Sequence, residues 1–147
     1  MRILARLRRC RRGVSALEFA LVGPVLALLA LGGFDLGNAA LQSLRLAAAA
    51  RAGAQYAFTQ PTDSAGITAA IRANLPGWTD VTVPAPVLVC RCEDGTSVNC
   101  AGGACGGIPP ALYVTLAATR PFTASTPLTA TLFPALVLQG RAEFRLH

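Results

Sequence analysis

Residues 8–37 read RRCRRGVSALEFALVGPVLALLALGGFDLG. Arginines lead straight into an apolar run that holds one acid, Glu18, before Asp35 closes it. From Val14 to Phe34 the run is 21 residues long. At ~1.5 Å per residue a helix of that length covers roughly 30 Å, about one hydrocarbon core. The pattern predicts a transmembrane helix over 14–34. No second run of that length follows, so the expected topology is a single pass.

The charge distribution supports the same reading. The 147-residue chain has a formal net charge of +6, but six of its 13 basic residues are Arg2, Arg6, Arg8, Arg9, Arg11 and Arg12. The seven remaining arginines balance the seven acids. The excess charge therefore belongs to residues 1–13. An arginine cluster can bind nucleic acid. Directly ahead of an apolar span, the positive-inside rule explains it better. Residues 1–13 are thus expected to be a cytoplasmic leader, with the C-terminal portion across the membrane and no nucleic-acid partner.

Helical character continues past the span. DLGNAALQSLRLAAAARAGAQYAF (35–58) is rich in Ala and Leu, which favour helix. Leu36, Ala40, Leu44 and Ala47 recur at three-to-four spacing, while Asn38, Gln42, Arg45 and Gln55 fall mainly off that stripe. One helix over about 14–58 would be ~65 Å long, twice a bilayer, so its second half must project and pack on something. Its alanines and Gly53 offer a flat packing surface. Pro24 interrupts the apolar half, which membrane helices tolerate when neighbours absorb the strain.

Residues 59–147 read as a small exported domain. SAGITAAIRANL (64–75) suits a short helix, stopped by Pro76-Gly77. DVTVPAPVLVCRC (80–92) alternates like a strand but is broken by Pro84 and Pro86. ALYVTLAAT (111–119) and ALVLQGRAEFRL (135–146) read as two further strands, joined by a proline-punctuated connection with a short helical turn. The expected fold class is α+β. A long N-terminal helix extends outward and is packed by an antiparallel sheet of about three strands. Its core would come from alternate strand residues, Trp78 and the helix stripe.

Cys90, Cys92, Cys100 and Cys105 fall within 16 residues of the exported part, whereas Cys10 stands alone in the leader. An even cluster in an exported domain reads as two disulfides. A bond within Cys-Arg-Cys is disfavoured by geometry, so Cys90 and Cys92 are each expected to pair with Cys100 or Cys105. Zinc is the weaker alternative: His147 is the lone histidine, and C-x-C-x7-C-x4-C lacks paired C-x2-C knuckles. No metal or other cofactor is expected.

The segment Arg12-Gly13-Val14-Ser15-Ala16-Leu17-Glu18-Phe19 resembles the processing site of type IV prepilins, and in particular the TadE-like pseudopilins of tight-adherence (Flp) pilus systems. The shared features are a basic leader, Gly at the cut, Glu at the fifth mature position, Phe after it, and an apolar helix. The likeness extends through the span proline, Asp35 and Gly37, and the Ala-rich continuation, over roughly residues 12–57. It implies a type IV pilin-like fold and cleavage between Gly13 and Val14 by an inner-membrane prepilin peptidase. It also implies assembly contacts through Glu18 and Phe19. The implied partners are that peptidase, other pilins or pseudopilins, an inner-membrane assembly platform and membrane lipid. The implied location is the bacterial inner membrane, with the C-terminal domain periplasmic. Gly13 suits a cut site because a scissile bond must be extended and uncrowded, and Gly weakens helix there. Cleavage would leave an α-ammonium on Val14, with Glu18 four residues on.

Two other classes compete. A secretory signal has an apolar core of 7–15 residues and a small-x-small cut, whereas this span is longer and carries Glu18. A plain signal-anchored domain would keep its leader. An exported enzyme finds little support: no internal histidine, no G-x-S-x-G, and only the adjacent loop acids Glu93 and Asp94 as a carboxylate pair. Replacing Gly13 with a bulky residue is expected to leave an uncleaved form. Immunoblotting should show the mature band lost in the variant. A mature band of unchanged mobility there would contradict cleavage at this site.

Overall fold

The computed structural model describes residues 12–103 and 105–146. The leader through Arg11, including Cys10, and His147 lie outside the described residues. Helix α1 spans Arg12–Thr59, 48 residues including Pro24, and helix α2 spans Ser64–Ala73. Strand β1 is Val87–Arg91, β2 is Ser97–Val98, β3 is Ala111–Pro121 and β4 is Val137–Arg145. Helix α3, Pro127–Leu132, lies between β3 and β4. The sheet is antiparallel throughout, in the order β2-β1-β3-β4.

The α+β expectation therefore holds, with four strands rather than three. The extra strand, β2, is two residues inside what reads as a Gly-rich loop. It pairs Cys90 with Val98 and Arg91 with Ser97. The turn between β1 and β2 closes through Cys92 N–H donating to the Thr96 carbonyl at 2.9 Å. Asp94 accepts from both the backbone N–H and the hydroxyl of Thr96. β1 also begins later than the alternation from Asp80 predicts. Pro84 and Pro86 cannot donate to a ladder, so only Thr82 pairs ahead of them, exchanging two 2.9 Å bonds with Thr119.

α2 starts where Asp63 caps it. The Asp63 carboxylate accepts from Gly66 N–H at 2.9 Å and from the Tyr56 hydroxyl at 2.8 Å, tying α2 to the end of α1. Those bonds hold the Asp63 carboxyl below the usual carboxylate range. Ile67 and Ile71 then face inward.

The core lies between α1, α2 and one face of the sheet. Val114, Leu116 and Ala118 of β3 and Leu138, Gly140 and Ala142 of β4 alternate inward. They meet Leu46, Ala49, Ala50, Ala54 and Ala57 of α1. The expected stripe of Leu36, Ala40, Leu44 and Ala47 is not that contact surface. The first three are exposed and Ala47 is half-buried. The small-residue face wins because the sheet backbone comes very close to the helix. A Cβ on Gly140 would stand 2.1–2.5 Å from the backbone of Leu46 and Ala47, and one on Gly53 would stand 2.4 Å from Ile71. So close an approach favours alanines, and Leu46 is the one leucine of α1 buried on this face.

The C-terminal end of β3 is latched to α1 by Arg120. Its Nε donates to both oxygens of Asp80, at 2.8 and 2.9 Å, and its NH1 donates to Gln42 Oε1 at 3.0 Å. The guanidinium also lies 4.2 Å from the centre of the half-buried Trp78 ring. The Arg120 bond holds the Asp80 carboxyl below its usual value.

Gly140→Ala should cost about 1–3 kcal/mol, because the added methyl can be accommodated only by moving backbone. Gly102→Ala, with nothing within 4 Å of the new methyl, should be neutral. Denaturant midpoints of the detergent-solubilised protein check this. Equal midpoints for the two variants would contradict the close helix–sheet approach.

Candidate functional site

α1 carries two acids, and they sit in opposite surroundings. Asp35 is fully buried. Its Oδ1 accepts from Ser125 N–H at 3.0 Å, and its Oδ2 from Thr126 N–H at 3.2 Å and the Thr126 hydroxyl at 3.0 Å. Thr126 in turn caps α3, accepting from Thr129 N–H at 3.3 Å, and its hydroxyl lies 2.8 Å from that of Thr129. A buried carboxylate is costly unless it is hydrogen-bonded. Here three donors from the β3–β4 connection meet it. Asp35 reads from the sequence as a marker of the outer membrane boundary. In the structure it is the peg that fastens the sheet domain to the helix.

Glu18 is the contrary case. It lies on the exposed surface of α1, and among the described residues no group pairs with it. Its neighbours Leu17, Phe19, Leu21 and Val22 are all more than half exposed. The Phe19 ring lies along the helix over Gly23, 3.6 Å from where a Cβ would be. From Ser15 to Phe34 every side chain is exposed except at Gly23 and Gly32, which are intermediate. α1 is long and apolar enough to cross a membrane, and its most apolar stretch has no cover from the other described residues. Gly13 and Val14 lie in the first turn of α1, next to Arg12. Glu18 follows one turn later, so Gly13, Val14, Glu18 and Phe19 share one end of one helix.

The four clustered cysteines form two bonds, Cys90–Cys100 and Cys92–Cys105, with Cα separations of 5.1 and 5.4 Å. Cys90 and Cys92 thus each pair with one of Cys100 and Cys105, as expected. The bonds cross-link β1 to the loop after β2, at the end of the sheet where Arg91 faces Ala111. Below that loop is a cleft of about 510 Å³ reached by Arg91, Asp94, Tyr113 and Arg145. Arg91 is bound there to Glu143 and stacks 5.5 Å from the Tyr113 ring centre. Glu93 and Asp94 are both exposed, and Asp94 is engaged with Thr96 in the turn. Among the described residues no group of His, Cys, Asp and Glu is placed to hold a metal ion.

Residues 13–55 match the family model for TadE-like protein. The match opens at Gly13, covers Glu18, Phe19 and Asp35, and ends within α1, so it takes in none of the sheet. No curated protein and no solved structure matches the chain.

The role of Asp35 is the part that reading the chain misses. One signal was available: a lone acid inside an apolar helix must find donors. The donors lie 90 and 91 positions away, in Ser125-Thr126 ahead of Pro127, a helix-start signature. Asp35→Ala would strand those donors, and hydrogen bonds to a charged group contribute roughly 1.5–3 kcal/mol. Hydrogen exchange at the Ser125 and Thr126 amides should therefore rise by one to two orders of magnitude, while β1 and β3 stay protected. Unchanged exchange at those two amides would contradict the peg.

Proposed function

We propose that the chain is a membrane-anchored minor pseudopilin that helps assemble a tight-adherence pilus, working by packing and not by catalysis. The observation that carries this reading is Glu18. It is an acid on an apolar, uncovered helix surface, one turn from a glycine, inside the segment that matches the TadE-like family. An acidic side chain such as Asp costs ~2.5–3.5 kcal/mol at the centre of a membrane helix on insertion scales, and less near the end of the span, where Glu18 lies. Nothing described in the chain offsets that cost for Glu18, whereas Asp35 is fully matched from within.

In this reading residues 1–13 form a leader removed by prepilin peptidase between Gly13 and Val14. The cut frees an α-ammonium on Val14 at the head of the helix. Glu18 then pairs with the amine of a neighbouring subunit, and Phe19 packs beside it. Because the partner is a fixed point on another helix, the pair sets the axial register between subunits. Residues 14–34 store the protein in the inner membrane, with the N-terminus cytoplasmic. Residues 35–58 and the disulfide-tied domain over 59–147 stand outside. Other pilins or pseudopilins and the inner-membrane assembly platform are the partners. A signal-anchored domain with no pilus role is the second reading. It shares the uncovered helix but gives Glu18 no partner beyond water at the interface.

Glu18→Ala should still be cleaved and still reach the membrane, yet fail to support piliation. Electron microscopy of cells carrying only the variant would count the fibres. A wild-type count would remove Glu18 from assembly and leave the second reading.

A further inference from the structure

Pairings between the domain and α1 descend in order. Leu116 of β3 lies at Gly53, Arg120 reaches Gln42, and Ser125-Thr126 reach Asp35. Pro127 then shares a crevice of about 290 Å³ with Leu28, Leu31 and Thr126. The β3–β4 connection is therefore the end of the domain nearest the apolar half of α1, and the disulfides are at the far end. Leu31 and Leu28 lie roughly 5 and 9 Å below Phe34 along the helix axis, at ~1.5 Å per residue. If 14–34 spans the bilayer, the start of α3 is already inside the level at which the span emerges.

The composition of this tip fits that depth. From Pro121 to Gly140 there is no charged residue, although Arg120 and Arg141 flank the segment directly. Leu132, Phe133 and Val137 are 63, 47 and 58% exposed. Many of the tip's polar groups are occupied from within. The Ser125 and Thr126 amides go to Asp35. The Thr131 hydroxyl donates to the Pro127 carbonyl at 2.8 Å, and Phe122 N–H donates to the Leu136 carbonyl at 2.8 Å. Backbone and hydroxyl groups satisfied in this way are what a lipid-facing segment requires.

We propose that the uncharged β3–β4 tip is a second membrane-contacting element, with Leu132 and Phe133 seated in the boundary of the leaflet from which Phe34 emerges. Its occupant is bilayer lipid. The inference rests on the membrane-span reading of residues 14–34. It adds to that reading a fixed height and tilt for the domain. The span and the tip touch the same leaflet at two points joined by the Asp35 peg. Exposed aromatic and leucine side chains beside a span are the usual means of interfacial anchoring.

The test uses the full chain in a Trp78→Phe background, reconstituted in phosphatidylcholine vesicles with or without bromine on the acyl chains. Three variants carry the single reporter: Phe133→Trp at the tip, Phe19→Trp in the span and Ile108→Trp at the far end. Quenching by bromine is expected at positions 19 and 133 and not at 108. Quenching at 19 with position 133 as bright as 108 overturns the tip proposal and leaves the span standing. No quenching at 19 overturns the span and the tip together. Because Trp78 stacks on Arg120, a second measurement uses the unaltered chain with a photoactivatable phosphatidylcholine. Cross-links at residues 132–137 alongside those at 15–34 support the proposal. Cross-links confined to 15–34 overturn it.

Discussion

The junction at Asp35 is the interaction on which the molecule depends. An apolar helix of 48 residues has no built-in place at which a domain must attach. One buried carboxylate supplies it, by needing three donors that only the β3–β4 connection brings. Once the connection is fixed there, β3 runs up the helix from Arg120 at Gln42 to Leu116 at Gly53, and β4 runs beside it with Gly140 against Leu46. The small side chains of Ala49, Ala50, Ala54 and Ala57 follow from that closeness. The apolar half below Asp35 is left bare.

Asp35 and Glu18 are 17 residues apart on this helix, ~26 Å at helical rise. One is satisfied by its own chain, and the other has no partner among the described residues. The first fastens the fold, and the second is the residue we propose finds its partner in assembly. The TadE-like match at residues 13–55 coincides with this divided helix and stops before the sheet. That is the pattern expected if the helix carries the common task and the domain carries whatever is particular to this protein. The disulfides stiffen the end of the domain farthest from the apolar half, where β1 and β2 join β3 and β4.

Much of the fold was legible in the sequence because its signals are local. Length and Ala-Leu content gave α1 to within a residue or two at each end. Pro76-Gly77 stopped α2, and two-residue alternation marked β3 and β4. The cysteine spacing limited the pairings without choosing between them. What was not legible depends on distant partners. Periodicity favours Leu36 and Leu44 as the packing stripe, yet the packed face is chosen by Gly140, nearly a hundred residues away. β2 exists only because β1 offers it an edge. Asp35 looks like a boundary marker until Ser125 and Thr126 are beside it. The proposed assembly site was legible only through the resemblance at Gly13, Val14, Glu18 and Phe19. The structure places those residues at one helix end, and among the described residues no group pairs with Glu18.

The central claim is that Glu18 is completed by an amine from another chain. Zero-length carbodiimide cross-linking of native membranes, followed by mass spectrometry of the Glu18 peptide, tests it directly. The expected product is an amide between the Glu18 carboxyl and the N-terminal α-amine of a neighbouring subunit, with this chain itself beginning at Val14. A Glu18 peptide recovered only unlinked, from a chain that begins elsewhere, would contradict it.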